Sequence, residues 1–253
     1  MNKIKEYWEK RAIEFEKEIV THRDNVQVEM EIETISRYLN KDDKVLDVGC
    51  GNGYSTNKYS KYCDMIVGID FASSMIDSAI EKYSNNRVGF YIDDITDPLI
   101  ISKFSKIIST RCLINIPTWE LQKQAIQNIH NLLEDGGIFI MTEGSRFGRN
   151  RLNTLRERLG LSKMSDVWFN NDFEDDKLFE FLTKLFTIKY DIRFGKYDYL
   201  TRVYYPLVVG ENNVEYNTEF HKAASMCEMK DKKYMYDEFW KYSREFILIL
   251  EKK

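Results

Sequence analysis

Val45-Leu46-Asp47-Val48-Gly49-Cys50-Gly51-Asn52-Gly53, followed after a short polar segment by Val67-Gly68-Ile69-Asp70, is the stretch that decides the fold. Val45, Leu46 and Val48 form an apolar run bounded by turn residues, as in a parallel strand covered on both faces. The glycines let the backbone pass close beneath a ligand. A carboxylate at the end of the next strand, Asp70, can accept the hydrogens of both ribose hydroxyls. A strand, a glycine turn and a second strand ending in an acid together predict a site for a nucleoside-containing cofactor.

A dinucleotide turn requires G-x-G-x-x-G/A, whose last small residue lets a helix N-terminus approach a pyrophosphate. Counted from Gly49, that position is Tyr54, too large for the approach, which argues against a nicotinamide-dependent oxidoreductase. The third glycine is instead Gly53, and Asp47 stands two residues ahead of the first. An acid there suits a cationic ligand. This acid-x-G-x-G-x-G string, with Asp70 downstream, resembles the first motif of the class I methyltransferases that use S-adenosylmethionine, a cofactor carrying a sulfonium and an amino group. The resemblance covers residues 44–143 well and the two ends of the chain loosely. It implies a methyltransferase with S-adenosylmethionine as cofactor.

Composition agrees with that assignment. A chain of 253 residues accommodates one large domain or one domain with an insertion. With 43% hydrophobic and 31% charged residues it is neither disordered nor membranous, and its apolar runs fall far short of the roughly 18 residues of a membrane span. The charged start Met1-Asn2-Lys3-Ile4-Lys5-Glu6 lacks the apolar region of a signal peptide, which predicts a cytoplasmic protein. Cys50, Cys63, Cys112 and Cys227 are scattered without C-x-x-C spacing, so reduced thiols are expected, and no metal site. A net charge of -4 supplies no basic field for nucleic acid, leaving a small-molecule substrate, with no membrane partner. The sequence gives no indication of oligomeric state.

Periodicity predicts an α/β fold: a Rossmann-like, doubly wound, mostly parallel seven-stranded sheet with an N-terminal helical lid and a late insertion before the last strand. Ile4, Trp8, Phe15 and Ile19 share one stripe of a first helix, and Val28, Ile32, Ile35 and Leu39 one stripe of a second. Strands are expected at 44–48, 65–70, 88–92, 106–109, 138–142, 186–194 and 245–250, with helices such as 73–83, 119–133 and 177–185 between them. The turn Glu134-Asp135-Gly136-Gly137 supplies left-handed positions that stop a helix. The whole chain, 1–253, is read as a single domain, with 1–40 as the lid and 144–185 and 196–244 as substrate-side segments.

Open sheets of this kind bind ligands beyond the carboxyl ends of their strands. By resemblance, Asp47, Gly49, Gly51 and Asn52 pass beneath the methionine part of the cofactor, Asp70 holds the ribose and Phe71 packs on the adenine. Asp94 and Ile95 meet the adenine edge, with Asp93 as a solvent-facing neighbour. Thr110 and Arg111 begin the segment beside the reactive methyl; Arg111 serves a cofactor carboxylate, an anionic substrate or a surface ion pair. Trp8 and Arg11 lie on one helix face. Relatives place such an aromatic near the sulfonium and such an arginine near the methionine carboxylate; alternatively, Trp8 anchors an amphipathic helix to the sheet.

Substrate chemistry must come from the remaining residues. Tyr199 and Tyr204 with Arg202, and Arg146 after the fifth strand, combine apolar area with planar cationic forks, and they predict an anionic small metabolite, phosphorylated or nucleotide-activated. The same residues would also suit an exposed strand and a solvated helix face. By analogy, the chain is similar to bacterial enzymes acting on surface-polysaccharide precursors. A protein or lipid-linked acceptor, or a non-catalytic module that binds the cofactor, is the alternative. An alcohol acceptor would need a base, for which His221, His22 and Glu143 are the candidates.

Overall fold

The computed structural model describes residues 2–14, 19, 22–230 and 238–253. In chain order the elements are α1 (Asn2–Glu14), α2 (Asn25–Ser36), β1 (Lys44–Val48), α3 (Tyr54–Tyr59), β2 (Met65–Asp70), α4 (Ser73–Tyr83), β3 (Val88–Ile92), β4 (Phe104–Thr110), α5 (Trp119–Leu132) and β5 (Leu133–Gly144). They continue through α6 (Arg146–Arg158), α7 (Asp175–Leu185), β6 (Phe186–Ile192), α8 (Gly195–Tyr199), a π-helical turn (Leu200–Tyr204), α9 (Tyr205–Val209), α10 (Glu219–Lys230) and β7 (Glu245–Lys252). The seven strands form one sheet in the order β3-β2-β1-β4-β5-β7-β6. β1 pairs in parallel with both β2 and β4, and β7 inserts antiparallel between β5 and β6.

β1 is buried on both faces because helices cover both: α5 and α7 on one side, α2 and α4 on the other. Leu46 and Val48 pack with Ile126, Ile129 and Leu178, whereas Val45 packs with Ile35, Ile66 and Ile76. The order reverses where β1 meets β4, and this switch point opens the crevice in which α/β sheets bind ligands.

The structure departs from the expected elements in three places. α1 ends at Glu14, so the stripe does not reach Ile19, while Phe15 lies outside the described residues. Among the described helices α1 roofs the crevice, whereas α2 is a core helix whose Val28, Ile32 and Ile35 are buried, Val28 also reaching the cavity wall. The arginine-bearing stretch after β5 is a helix, α6, and the tyrosine-rich stretch before β7 is also helical. No helix among the described residues is long and apolar enough to cross a membrane.

Candidate functional site

Gly49, Gly51 and Gly53 all adopt the left-handed region, with φ of 72°, 53° and 80°. The turn they form is tight: a Cβ on Gly49 would lie 2.5 Å from Cys112 Cβ and Sγ, so only glycine fits beneath the segment that follows β4. The Gly49 and Cys50 N-H groups both donate to the Ile69 carbonyl, at 2.8 and 3.0 Å, locking the turn to the end of β2. Asp70, the last residue of β2, accepts from Gly51 N at 3.0 Å and Ala72 N at 2.9 Å. One carboxylate thereby ties the glycine turn to the start of α4.

A cavity of about 270 Å³ opens beyond these strand ends. One end is walled by Asp47, Gly49, Gly51, Asn52, Asp70, Phe71, Asp94, Ile95 and Thr110, residues that sequence reasoning assigned to the cofactor. The N-terminal helix roofs this end. Trp8 packs with Phe71 against Ala72 and Met75, and its indole N-H donates to Asn115 Oδ1 at 3.0 Å. Asn115 continues to Asn170 at 3.2 Å, and Tyr7 and Trp8 stack edge-on or tilted with Phe169 at 4.7 and 5.4 Å. The roof and the loop before α7 therefore meet across the mouth. Asp93, expected to face solvent, instead closes its own loop by accepting from Leu99 N and Ile100 N, both at 3.0 Å.

Burial shapes the charge at this end. It pushes the Asp47 carboxyl up to about 7, against the Thr56 hydroxyl that donates to it at 2.6 Å, and the charge of Asp70 adds to the rise. Burial likewise pushes Asp70 up to about 6, opposed by the N-H groups of Ala72 and Gly51. Two acids whose ionisation is costly without a counter-charge favour a cationic ligand.

The other end is lined by His22, Arg111, Arg149, Asp172, Arg244 and Glu245. Arg111 has φ 52°, a strained value for a side-chain-bearing residue, and its N-H donates to Thr142 O at 2.8 Å. Its guanidinium is an ion-pair partner of buried Glu31 and lies 3.8 Å from Glu245. Arg149 pairs with Asp172 at 2.8 Å, and Arg244 with Asp198 at 2.8 Å. Each arginine on this wall is already matched by a carboxylate. Burial and then the Arg111 charge push His22 down to about 4, so its imidazole is neutral at physiological pH. Its Nδ1 lies 3.0 Å from Asp24 O and 3.2 Å from Asp24 N.

Several expected site residues lie elsewhere. Arg202 pairs with buried Asp24, Tyr199 rests 5.0 Å from the Phe239 ring, and Tyr204 stacks on Phe220. Arg146 is exposed and donates to Asp172 O at 3.1 Å. None of the four lines the cavity, because the segment carrying the first three folds as helices whose aromatic faces pack on one another. His221 is buried among Tyr197, Tyr205 and Tyr216 and bonds the Thr218 hydroxyl at 3.0 Å. Glu143 is enclosed, accepting from Ser109 Oγ, Cys112 N, Leu113 N and Ile114 N, and is likewise off the cavity wall. Arg11, on α1, does not line the cavity either. Sequence reasoning missed Asp172, Arg244, Glu245 and Asn115. Arg149 carried a signal, as one of the five arginines of α6; the four missed are ordinary residues of loops and strand ends.

Comparison with known proteins supplies an independent line. A family model described as a methyltransferase domain matches residues 39–184, more than half of the chain. The chain is similar to the methyltransferase candidate 235L of Invertebrate iridescent virus 6, 30% identical over 174 residues, covering 68% of this chain and 55% of the relative. It is also similar to malonyl-[acyl-carrier protein] O-methyltransferase of Bacillus anthracis, 34% identical over 129 residues, covering 47% of this chain and 46% of the relative. The chain spans about half the length of the curated relatives it matches. Among solved structures, the N-methyltransferase NodS of Bradyrhizobium japonicum WM9 in complex with S-adenosyl-L-homocysteine superposes with a TM-score of 0.62, at 12% identity and 98% coverage of both chains, which shows a shared fold.

Proposed function

Because the chain belongs to the methyltransferase-domain family matched over residues 39–184, we propose that it transfers the methyl group of S-adenosylmethionine to an O-H or N-H group of a small acceptor, with His22 taking the proton. The observation that carries this reading is a single cavity walled at one end by Asp47, Asp70 and the glycine turn and at the other by a neutral imidazole. The residues fit the cofactor. Asp70 has oxygen lone pairs beyond its two backbone bonds for ribose hydroxyls, Phe71 and Ile95 offer apolar contact for a purine, and the acids of the turn suit a cation.

When bound, the cofactor supplies an activated methyl group on a good leaving group. What the chain adds is alignment and water exclusion, which can be worth roughly 7–11 kcal/mol, together with the base. In the tautomer that donates from Nδ1 to the Asp24 carbonyl, His22 Nε2 carries the free lone pair. Once protonated, the imidazolium faces Glu245. Burial acts to raise that carboxyl, but Arg111 and Arg244 hold it below the usual range, so it is ionised. Burial pushes the neighbouring Glu31 up to about 8, so this carboxyl is the one that holds a proton and can hydrogen-bond to Glu245.

The anionic metabolite loses its first support, since Arg202, Tyr199, Tyr204 and Arg146 lie off the wall and the three arginines on it are paired. An acceptor uncharged at the reacting group agrees better with this balance. A carrier-linked acceptor is a second reading, favoured by Trp168, which is 63% exposed and 5.8 Å from the Tyr7 ring at the cavity mouth.

The test is incubation with methyl-labelled S-adenosylmethionine and four acceptor pools: alcohols, amines, sugar nucleotides and acyl-carrier conjugates. Labelled product is then identified by mass. A product from the first two pools is expected. A product only from sugar nucleotides would restore the anionic precursor, and one only from conjugates would favour the carrier. Tight cofactor binding with no product in any pool would leave a non-catalytic binding module.

A further inference from the structure

Asp24 presents its side chain to the segment between β6 and β7 and its backbone to His22, which lines the cavity. Its carboxylate is fully buried and accepts from Tyr197 OH at 2.8 and 3.0 Å, from Gln27 N at 3.1 Å and from Arg202, which is its ion-pair partner. Its backbone N and O are the atoms that meet His22 Nδ1. Arg202 is held in turn. It sits in the π-helical turn, its carbonyl accepts from Arg156, and its guanidinium lies 5.0 Å from the Tyr216 ring centre. Such turns recur where a helix must aim a functional side chain.

We infer that Arg202 and Tyr197, although off the cavity wall, are positioning residues for methyl transfer: by gripping the Asp24 carboxylate they fix the backbone that orients His22 and sets which of its nitrogens faces the acceptor. This inference rests on the reading of His22 as the base. The contact at Nδ1 is ambivalent, because Asp24 O accepts from an Nδ1-H and Asp24 N donates to a bare Nδ1, at nearly equal distances. A small rotation of the Asp24 backbone therefore decides the tautomer, and only the Nδ1-H form leaves Nε2 basic. Fixing that rotation requires a rigid grip on the side chain. A tyrosine hydroxyl seated between the two carboxylate oxygens, a guanidinium and a helix N-terminal N-H provide one.

The charged and titratable groups around the pair are few enough to name. His22 faces Arg111, Glu245 and Arg244, and Asp24 faces Arg202, Tyr197, His221 and Arg244. Arg202→Met removes the charge that faces Asp24 from the π turn, whereas Tyr197→Phe removes a hydroxyl and no charge at neutral pH. If both perturb His22 alike, the coupling runs through geometry and not through a long-range field.

The experiment is nitrogen NMR of protein labelled at the imidazole nitrogens, with His22 assigned by His22→Gln, alongside kcat and KM across pH. In the native protein a single Nδ1-H tautomer that titrates below pH ~5 is expected. Tyr197→Phe and Arg202→Met should each give a mixed tautomer and lower kcat about tenfold, with KM for S-adenosylmethionine unchanged and partial recovery in Arg202→Lys. A His22 spectrum unchanged in folded Tyr197→Phe overturns the inference even if Arg202→Met fails to fold. An unchanged kcat in His22→Gln would instead remove the base and leave the NMR coupling standing, so the two failures are separable.

Discussion

Glu9 on α1 caps the helix that follows Asp70: its two carboxylate oxygens accept from the backbone N-H groups of Ser73, at 2.8 Å, and Ser74, at 2.7 Å. The cap is supplied by a residue distant in sequence, so the start of α4 and the roof of the cavity are one mechanical unit. Burial acts to raise the Glu9 carboxyl, but the Ser74 and Ser73 bonds hold it below its ordinary value of 4.5. A depressed carboxyl stabilises the folded state above its unfolded value, and that contribution is lost as pH falls through the folded one. Glu9→Ala should weaken S-adenosylhomocysteine binding by about tenfold, near the upper range of a lost cap, and speed its release. Calorimetry and stopped-flow dissociation check both. An affinity equal to that of the native protein would mean that α1 closes without the latch.

Asp47 and Asp70 carry a pH signature of opposite sign. Burial raises both above their ordinary 3.8, to about 7 and about 6. An acid raised on folding favours the folded state at low pH, and that advantage is lost as pH climbs through the folded value. The free protein should therefore lose stability from these two groups between pH 4 and pH 7, roughly the span of their shifts. A sulfonium beside them offsets the loss and a neutral thioether does not. The Tm increment from S-adenosylmethionine should exceed that from S-adenosylhomocysteine by more at about pH 7.5 than at about pH 5.5. Equal gaps in thermal scans at the two pH values would detach these acids from the cationic part of the ligand.

The glycine turn, Asp70 and six of the seven strands were legible to within a few residues because each rests on local physics: a two-sided apolar run, positive φ and an acid at a strand end. β5 was the exception at its start, since Leu133 already pairs with Phe104 before Gly136 turns the chain at φ 71°. The other end of the cavity was poorly legible because His22, itself a candidate, Arg149, Asp172 and the adjacent Arg244 and Glu245 come from four separate segments. Gln27 and Glu31 illustrate the difficulty. They sit four apart on α2, where i,i+4 spacing normally marks a solvated face, yet both are buried beneath Arg111, Arg244 and Glu245. The tyrosines misled because alternating aromatics suit a strand as well as a helix packed on other helices.

Glu143 should behave as a bracket and not as a base. Burial pushes it up to about 7 against four donors, three of them backbone N-H groups of the segment after β4. That segment includes Cys112, whose side chain lies over Gly49. Glu143→Ala leaves the donors unpaired and should destabilise the protein by about 2–4 kcal/mol in urea unfolding, with cofactor affinity falling in step. Glu143→Gln retains acceptor capacity through its carbonyl and should recover part of both. A Glu143→Gln variant with native stability and native cofactor affinity, yet no detectable turnover, would return Glu143 to the chemistry.

The contact between Gly49 and Cys112 gives the most direct probe of the turn. At φ 72° any side chain is strained, by about 1–3 kcal/mol, and a Cβ there would also overlap Cys112 Cβ and Sγ at 2.5 Å. The two penalties have different remedies. Cys112→Gly removes the overlapping atoms and leaves the strain. Gly49→Ala alone should therefore lower S-adenosylhomocysteine affinity by about 100-fold, taking strain and overlap together, while Gly49→Ala with Cys112→Gly should recover about tenfold. A double-mutant cycle measured by calorimetry gives the coupling between the two positions. Additive losses would mean that the segment after β4 moves aside freely and does not press on the glycine turn.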